Sequence, residues 1–379
     1  MSASGRHNLD SSVIPNPHSS SLRGERVDRQ GLSEKERKEA LRRLSNTLQT
    51  SESKKVILVG DVMLDRYHHG FANNLNSTAP VPVLKITKTE ENAGAAAHIA
   101  QSLCSLGISV GLHAIIGSDS EGMTIRNSLE NLGVDTLGLE AIENHSTLVK
   151  TRYFASRESL LDRPQIMLQA DREDPEGISE SVSERICSKA LEAMEGSSVL
   201  VISDYDKGVV TRESARDLID EANRLKIPVI MDPKLTGLDR SGDSTIVIFE
   251  RRGLDLLRRR MGHDDASSTA EELMNEYGWG AVLILGGNAG VTLFHSDGRQ
   301  LFSPTSIINP RQQIGLHDAA ASALSFALGN GHDLIDASIL AGAACDCILA
   351  SPHGESVLTR EALTLRVDEI LWQMKISDR

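Results

Sequence analysis

The stretch Asn309-Pro310-Arg311-Gln312-Gln313-Ile314-Gly315-Leu316-His317-Asp318 places a carboxylate three residues after a glycine. Pro310 and Gly315 interrupt regular structure ahead of a run of strong helix formers, Ala319 to Leu328. Small and apolar residues cover every side of that run, which predicts a buried helix ending at Gly329-Asn330-Gly331. A glycine-bearing turn that feeds a helix leaves backbone N–H groups free and presents the positive end of the dipole, a place that can hold a phosphate. Asp318, on the first turn, can take a proton from an attacking hydroxyl. The same position also suits a plain capping acid, so both readings of Asp318 stand.

Such a helix needs a sheet to carry it. Val56-Ile57-Leu58-Val59 is a continuous apolar run ending in Gly60-Asp61, the pattern of a buried parallel strand. The pattern recurs at Val199-Leu200-Val201-Ile202, which ends in Ser203-Asp204, and at Pro228-Val229-Ile230-Met231, which ends in Asp232-Pro233. Ile246-Val247-Ile248-Phe249 and Ala281-Val282-Leu283-Ile284-Leu285 are further runs, and helical patterns over 180–195 and 211–225 lie between. Alternating strands and helices predict an α/β fold with a parallel sheet covered on both faces. Polar residues at the carboxyl ends of its strands gather in one crevice, which makes Asp61, Asp204 and Asp232 a candidate site. Residues 66–88 differ: Tyr67-His68-His69-Gly70-Phe71 and Val81-Pro82-Val83-Leu84-Lys85-Ile86 predict two short strands forming a small sheet. Its mixed faces call for cover from a ligand or a second subunit. Asn92-Ala93-Gly94-Ala95-Ala96-Ala97-His98 opens a helix with small residues, which serves either close approach of a ligand or tight packing.

The chain has 379 residues, 40% of them hydrophobic but only 3% aromatic, so its core is aliphatic and rich in alanine. A net charge of −13 argues against nucleic acid and anionic membranes as partners. Cys104, Cys187, Cys345 and Cys347 form no metal or disulfide pattern, which fits a reducing, cytoplasmic setting. No apolar run is long enough to span a bilayer. Residues 1–30 read as a disordered tail, and the acids Asp10, Glu25 and Asp28 disfavour a transit peptide. Residues 31–53 read as a helical arm: Ser33 and Glu36 make a capping box, and Ala40, Leu41, Leu44 and Leu48 line one side. The pattern predicts a largely solvated, loosely docked arm ahead of a main domain over 54–372.

In order, these features resemble the ribokinase-like (PfkB) carbohydrate kinases, and within them the heptose 7-phosphate kinase domains. The likeness rests on Val59-Gly60-Asp61-Val62-Met63-Leu64-Asp65-Arg66-Tyr67, Ala79-Pro80-Val81-Pro82-Val83, Ser203-Asp204-Tyr205-Asp206-Lys207-Gly208 and Asp232-Pro233-Lys234. It implies a three-layer fold with a mostly parallel sheet, a strand lid shared across a homodimer, and transfer of the ATP γ-phosphoryl to a sugar or sugar phosphate with Mg2+. By the same likeness Asp61, Asp65, Gly94, Asp204, Lys207 and Lys234 lie on the substrate side, and Lys150 and Arg152 hold a sugar's own phosphate. Asp318 is the expected base, Gly315 and His317 the anion hole, and Glu250, Gly287 and Gly290 the nucleotide side.

The chain also departs from that pattern. The family's Gly-Ala-Gly-Asp is Gly315-Leu316-His317-Asp318, and its Asn-x-x-Glu is Glu250-Arg251-Arg252-Gly253. Gln312 stands at an acidic position linked with monovalent cations, His98 at a pocket asparagine, Ala95 at a second glycine, and Leu285 at a threonine near the phosphates. Gly286-Gly287-Asn288-Ala289-Gly290 is not a Walker loop, because no Gly-Lys-Ser/Thr follows. Each lost charge-stabilising contact costs about 3–4 kcal/mol of barrier. Two readings follow: a kinase with altered nucleotide handling, or a degenerate kinase fold that binds a sugar phosphate or a protein partner.

Overall fold

The computed structural model describes residues 31–52, 54–156, 164–352 and 357–377. The segment 1–30, read as a disordered tail, lies outside them. In chain order the elements are α1 (Glu34–Thr50), β1 (Lys55–Gly60), β2 (Val62–Leu75), β3 (Pro82–Ala95), α2 (Ala96–Ser105), β4 (Ser109–Gly117), α3 (Ser120–Asn131), β5 (Leu139–Ile142), β6 (Leu148–Ser156) and β7 (Gln165–Arg172). They continue with α4 (Glu180–Ala193), β8 (Val199–Asp204), α5 (Arg212–Leu225), β9 (Val229–Pro233), β10 (Ile246–Glu250), α6 (Arg251–Met261), α7 (Ala266–Tyr277) and β11 (Ala281–Leu285). The last are β12 (Val291–His295), β13 (Gln300–Ser303), α8 (Leu316–Gly329), α9 (Leu334–Ala350) and α10 (Arg360–Ser377).

Among the described residues the main sheet has nine strands in the order β13-β12-β11-β10-β9-β8-β1-β4-β5. Only the pairs β11–β12 and β12–β13 are antiparallel. The apolar runs become strands buried on both faces because alternate side chains feed two cores. Val56, Leu58, Val199 and Val201 join the core under α1, α2, α3, α8, α9 and α10. Ile57, Val59, Leu200 and Ile202 join the core under α4, α5, α6 and α7.

The small sheet is larger than the two short strands expected over 66–88. It has four strands in the order β3-β2-β6-β7, and β2 and β3 are each 14 residues long. The sequence hides β7, which is exposed along its whole length and so carries no burial alternation. The arm expectation also changes. α1 has the capping box, but Leu41 and Leu44 are 0% exposed and belong to the main core. Arg43 donates two hydrogen bonds to the carboxylate of Asp336 on α9, so this helix is a layer of the body rather than a solvated arm.

Candidate active site

Chain order reverses across β1, with β8 on one side and β4 on the other, and open α/β sheets bind ligands beyond the carboxyl ends at such a reversal. Gly315 turns the chain into α8 with φ 90°, a conformation glycine adopts without steric cost, and no side chain caps the helix. Asp318 is 8% exposed. Its Oδ2 lies 2.8 Å from Nδ1 of His98, while its buried Oδ1 has no hydrogen-bond partner among the described residues. The plain capping reading fails, since the carboxylate bonds to a side chain of α2 and not to the backbone of α8. An unmade hydrogen bond at a buried oxygen costs about 1–3 kcal/mol, which an incoming hydroxyl relieves.

Asp65 stands near enough to Asp318 for its carboxyl to feel that charge. The parallel pairing of β2 with β6 sets Asp65 beside Lys150 and Tyr67 beside Arg152. Nη1 of Arg152 donates to Asp65 Oδ1 at 2.6 Å, and the guanidinium sits 5.5 Å from the centre of the Tyr67 ring. Burial raises the Asp65 carboxyl above its usual range; Arg152 and Lys150 oppose this, and the charge of Asp318 adds to it. Gly94 is needed here: a Cβ on it falls 2.3 Å from Asp65 Oδ2. Lys150 is lowered by burial and repelled by Arg152 and Lys234, while Asp171 and Asp65 attract it.

Tyr205 ties the two halves together. Its phenol is held well above its usual range by burial and by the carboxylates of Asp318, Asp232, Asp65 and Glu250. The Lys234 ammonium lies 3.9 Å from its ring centre. On the first turn of α8, His317 binds Asp232 at 2.7 Å through Nδ1 and approaches Glu250 at 3.5 Å through Nε2.

Three substrate-side expectations are corrected by the geometry. The carboxylate of Asp61 accepts backbone N–H groups of Tyr205, Lys207 and Val209, so it shapes the turn after β8. Burial and Asp204 push it up to about 7 against those hydrogen bonds. Asp204 is 1% exposed and accepts from Arg240 at 2.6 Å. Lys207 pairs with Glu173. Asp61 and Lys207 line a cleft of about 340 Å3 together with Asp206 and Val209. Gly290 likewise serves backbone packing, because a Cβ there meets the Ser303 carbonyl at 2.2 Å, whereas Gly287 faces the side chain of Gln313. A groove of about 510 Å3 beside this turn is lined by Arg251, Arg258, Phe294 and Phe302 among others.

The residues do not fit a protein cage for Mg2+. Among the described residues no group of three or more His, Cys, Asp or Glu side chains is placed to hold a metal, and Asp232 and Glu250 both engage His317. Sequence reasoning passed over two residues of the site. His98 stood out only as a departure from asparagine, and nothing in a lone Tyr205 signals that four carboxylates converge on it.

A doubly covered, mostly parallel sheet, a four-stranded lid and a buried carboxylate on the first turn of α8 define a ribokinase-like fold. The chain belongs to the pfkB family of carbohydrate kinases, which matches residues 53–358. It is 30% identical over 309 residues to the bifunctional protein HldE of Actinobacillus pleuropneumoniae, covering 80% of this chain and 62% of that one. It is also 30% identical over 325 residues to the HldE protein of Shewanella sediminis, covering 83% and 63%. The chain thus spans less than two thirds of the length of these curated relatives. Its fold is similar to Arabidopsis thaliana ribokinase complexed with ribose and ATP, at TM-score 0.64 and 15% identity over 83% of this chain and 99% of that one. Escherichia coli phosphofructokinase-2 in complex with fructose-6-phosphate gives a TM-score of 0.67 and 16% identity over 84% and 99%.

Proposed function

We propose that this protein transfers the γ-phosphoryl group of ATP to a hydroxyl of a sugar or sugar phosphate of the heptose 7-phosphate kind. The observation that carries this reading is Asp318 Oδ1, buried and unpartnered among the described residues on the first turn of α8, with Asp65 near enough for the two carboxylates to feel each other's charge. The acceptor hydroxyl donates to Oδ1. As its oxygen bonds to the γ-phosphorus, the bond to the bridging oxygen of ADP breaks, ADP keeps the electron pair, and the hydroxyl proton passes to Asp318. Free N–H groups of the first turn of α8 and the imidazolium of His317 supply positive charge to the transferring group. Asp65 and Lys150 orient the acceptor, and Arg152 holds Asp65 in place. ATP approaches along the Gly286–Gly290 turn and Glu250.

Two copies pair through the lid in this reading. Leu75, Val83, Ile86, Ile166, Met167 and Leu168 leave it an apolar surface, each at least 45% exposed. The test is purified protein with ATP, magnesium and a panel of sugars and sugar phosphates, with ADP release measured. Turnover lost in Asp318→Asn supports the reading, and no turnover with any acceptor overturns it. A second reading, binding of a sugar phosphate without transfer, is favoured by one observation: Asp232 and Glu250 clamp His317 at the phosphate end. Tight binding of magnesium-ATP in calorimetry counts against that alternative.

A further inference from the structure

We propose that His98 is a positioning residue that fixes the rotation of the Asp318 carboxylate and so aims Oδ1 at the acceptor hydroxyl, an inference that rests on the kinase reading above. α2 starts directly after the lid strand β3, where Ala95 takes φ 55° and Ala96 N–H donates to the Asp61 carbonyl at 3.0 Å. Ala96, Ala97, Ala319 and Ala320 are all 0% exposed, and these small side chains let α2 and α8 lie close together. The imidazole of His98, itself 5% exposed, then spans from one helix to the carboxylate of the other.

The terminal torsion of an aspartate is a broad two-fold rotor, so one hydrogen bond decides which oxygen faces which way. With Oδ2 held by His98, Oδ1 is left buried with no hydrogen-bond partner among the described residues. Charge points the same way. Burial draws the imidazole toward neutrality, but the hydrogen bond to Asp318 and the charges of Asp318 and Asp65 outweigh it, leaving His98 above its ordinary value. Among the described residues, charged and titratable groups that interact electrostatically with the pair include Asp65 of β2, held by Arg152 of β6, and the phenols of Tyr67 and Tyr205. Both phenols are raised, so they stay neutral, and His98 is the group hydrogen-bonded to the base. The proton gained from the acceptor therefore enters a pair that already shares one along the Nδ1–Oδ2 bond.

The test is kcat and KM for His98→Ala, which removes the hydrogen bond, with His98→Gln, which keeps a donor, as a second variant, using ATP and the accepted sugar phosphate. The expected result is a kcat lower by on the order of tenfold or more in His98→Ala with acceptor KM within about threefold, and partial recovery of kcat in His98→Gln. A kcat within about twofold of the wild type in His98→Ala overturns the proposal. A second arm needs no turnover: ring-nitrogen NMR titration of His98 in the wild type and in Asp318→Asn. His98 losing its proton at lower pH in the variant supports the pairing, and an unchanged titration overturns it. Wild-type protein without turnover sinks the kinase reading, and the pairing is then judged by the NMR arm.

Discussion

His317 Nδ1 lies 2.7 Å from Asp232 Oδ1, and this contact turns a bulky residue at the mouth of α8 into a fixed cation. Burial opposes charging the ring, but Asp232 and Glu250 overcome it and push the imidazole up to about 10, against 6.5 ordinarily. A group with a raised folded-state pKa stabilises the fold fully below its unfolded value. That contribution declines as pH climbs above 6.5 and is gone past about 10. In His317→Gln the loss of stability is therefore largest near pH 6, on the order of a few kcal/mol, smaller at pH 8, and absent above pH 10. Urea unfolding of both proteins across that range checks this, and a pH-independent difference contradicts it.

Gly94→Ala is the sharpest probe of the acceptor side. The added methyl carbon falls 2.3 Å from Asp65 Oδ2, so the carboxylate must move and its 2.6 Å contact with Arg152 is disturbed. Overpacking of this kind costs about 1–3 kcal/mol. Acceptor KM is expected to rise on the order of tenfold while KM for ATP stays within about twofold, because in the proposed reading Asp65 contacts the acceptor and not the nucleotide. Steady-state kinetics in both substrates decide it. Equal changes in the two KM values would mean that Asp65 does not contact the acceptor.

The apolar runs that became β1, β8, β9, β10 and β11 were legible in the sequence because a strand buried on both faces is apolar at every position. The Gly315 turn and the span of α8 were legible because Gly315 and Gly331 punctuate an unbroken run of helix formers. Strand β4 was not, since Gly111 and His113 interrupt its apolar pattern. Site chemistry was legible by position but not by partner. Asp61, Asp204 and Asp232 end or follow strands and Asp65 lies near the start of β2, yet only contacts in the fold separate the one that feels the charge of Asp318 from those that hold a loop, an arginine or a histidine. His98 and Asp318 are 220 positions apart, and no local pattern signals a pair at that distance.

The N-terminal helix offers a test of whether the body extends to residue 34. Leu44 is fully buried against the core shared by α9 and α10, Ser45 Oγ donates to Asp368 at 2.8 Å, and Arg360 donates to the Leu48 carbonyl at 2.6 Å. Cutting a fully buried leucine to alanine costs about 2–5 kcal/mol through lost transfer energy and the cavity left behind. Leu44→Ala is therefore expected to lower the urea midpoint of the whole protein in one transition, with the slope unchanged. The bidentate Arg43–Asp336 contact adds less, because the arginine is 54% exposed and screened by water, so Arg43→Ala costs about 1 kcal/mol or below. A loosely docked helix behaves differently: Leu44→Ala then leaves the main midpoint in place, and α1 melts in a separate early phase seen by far-ultraviolet circular dichroism.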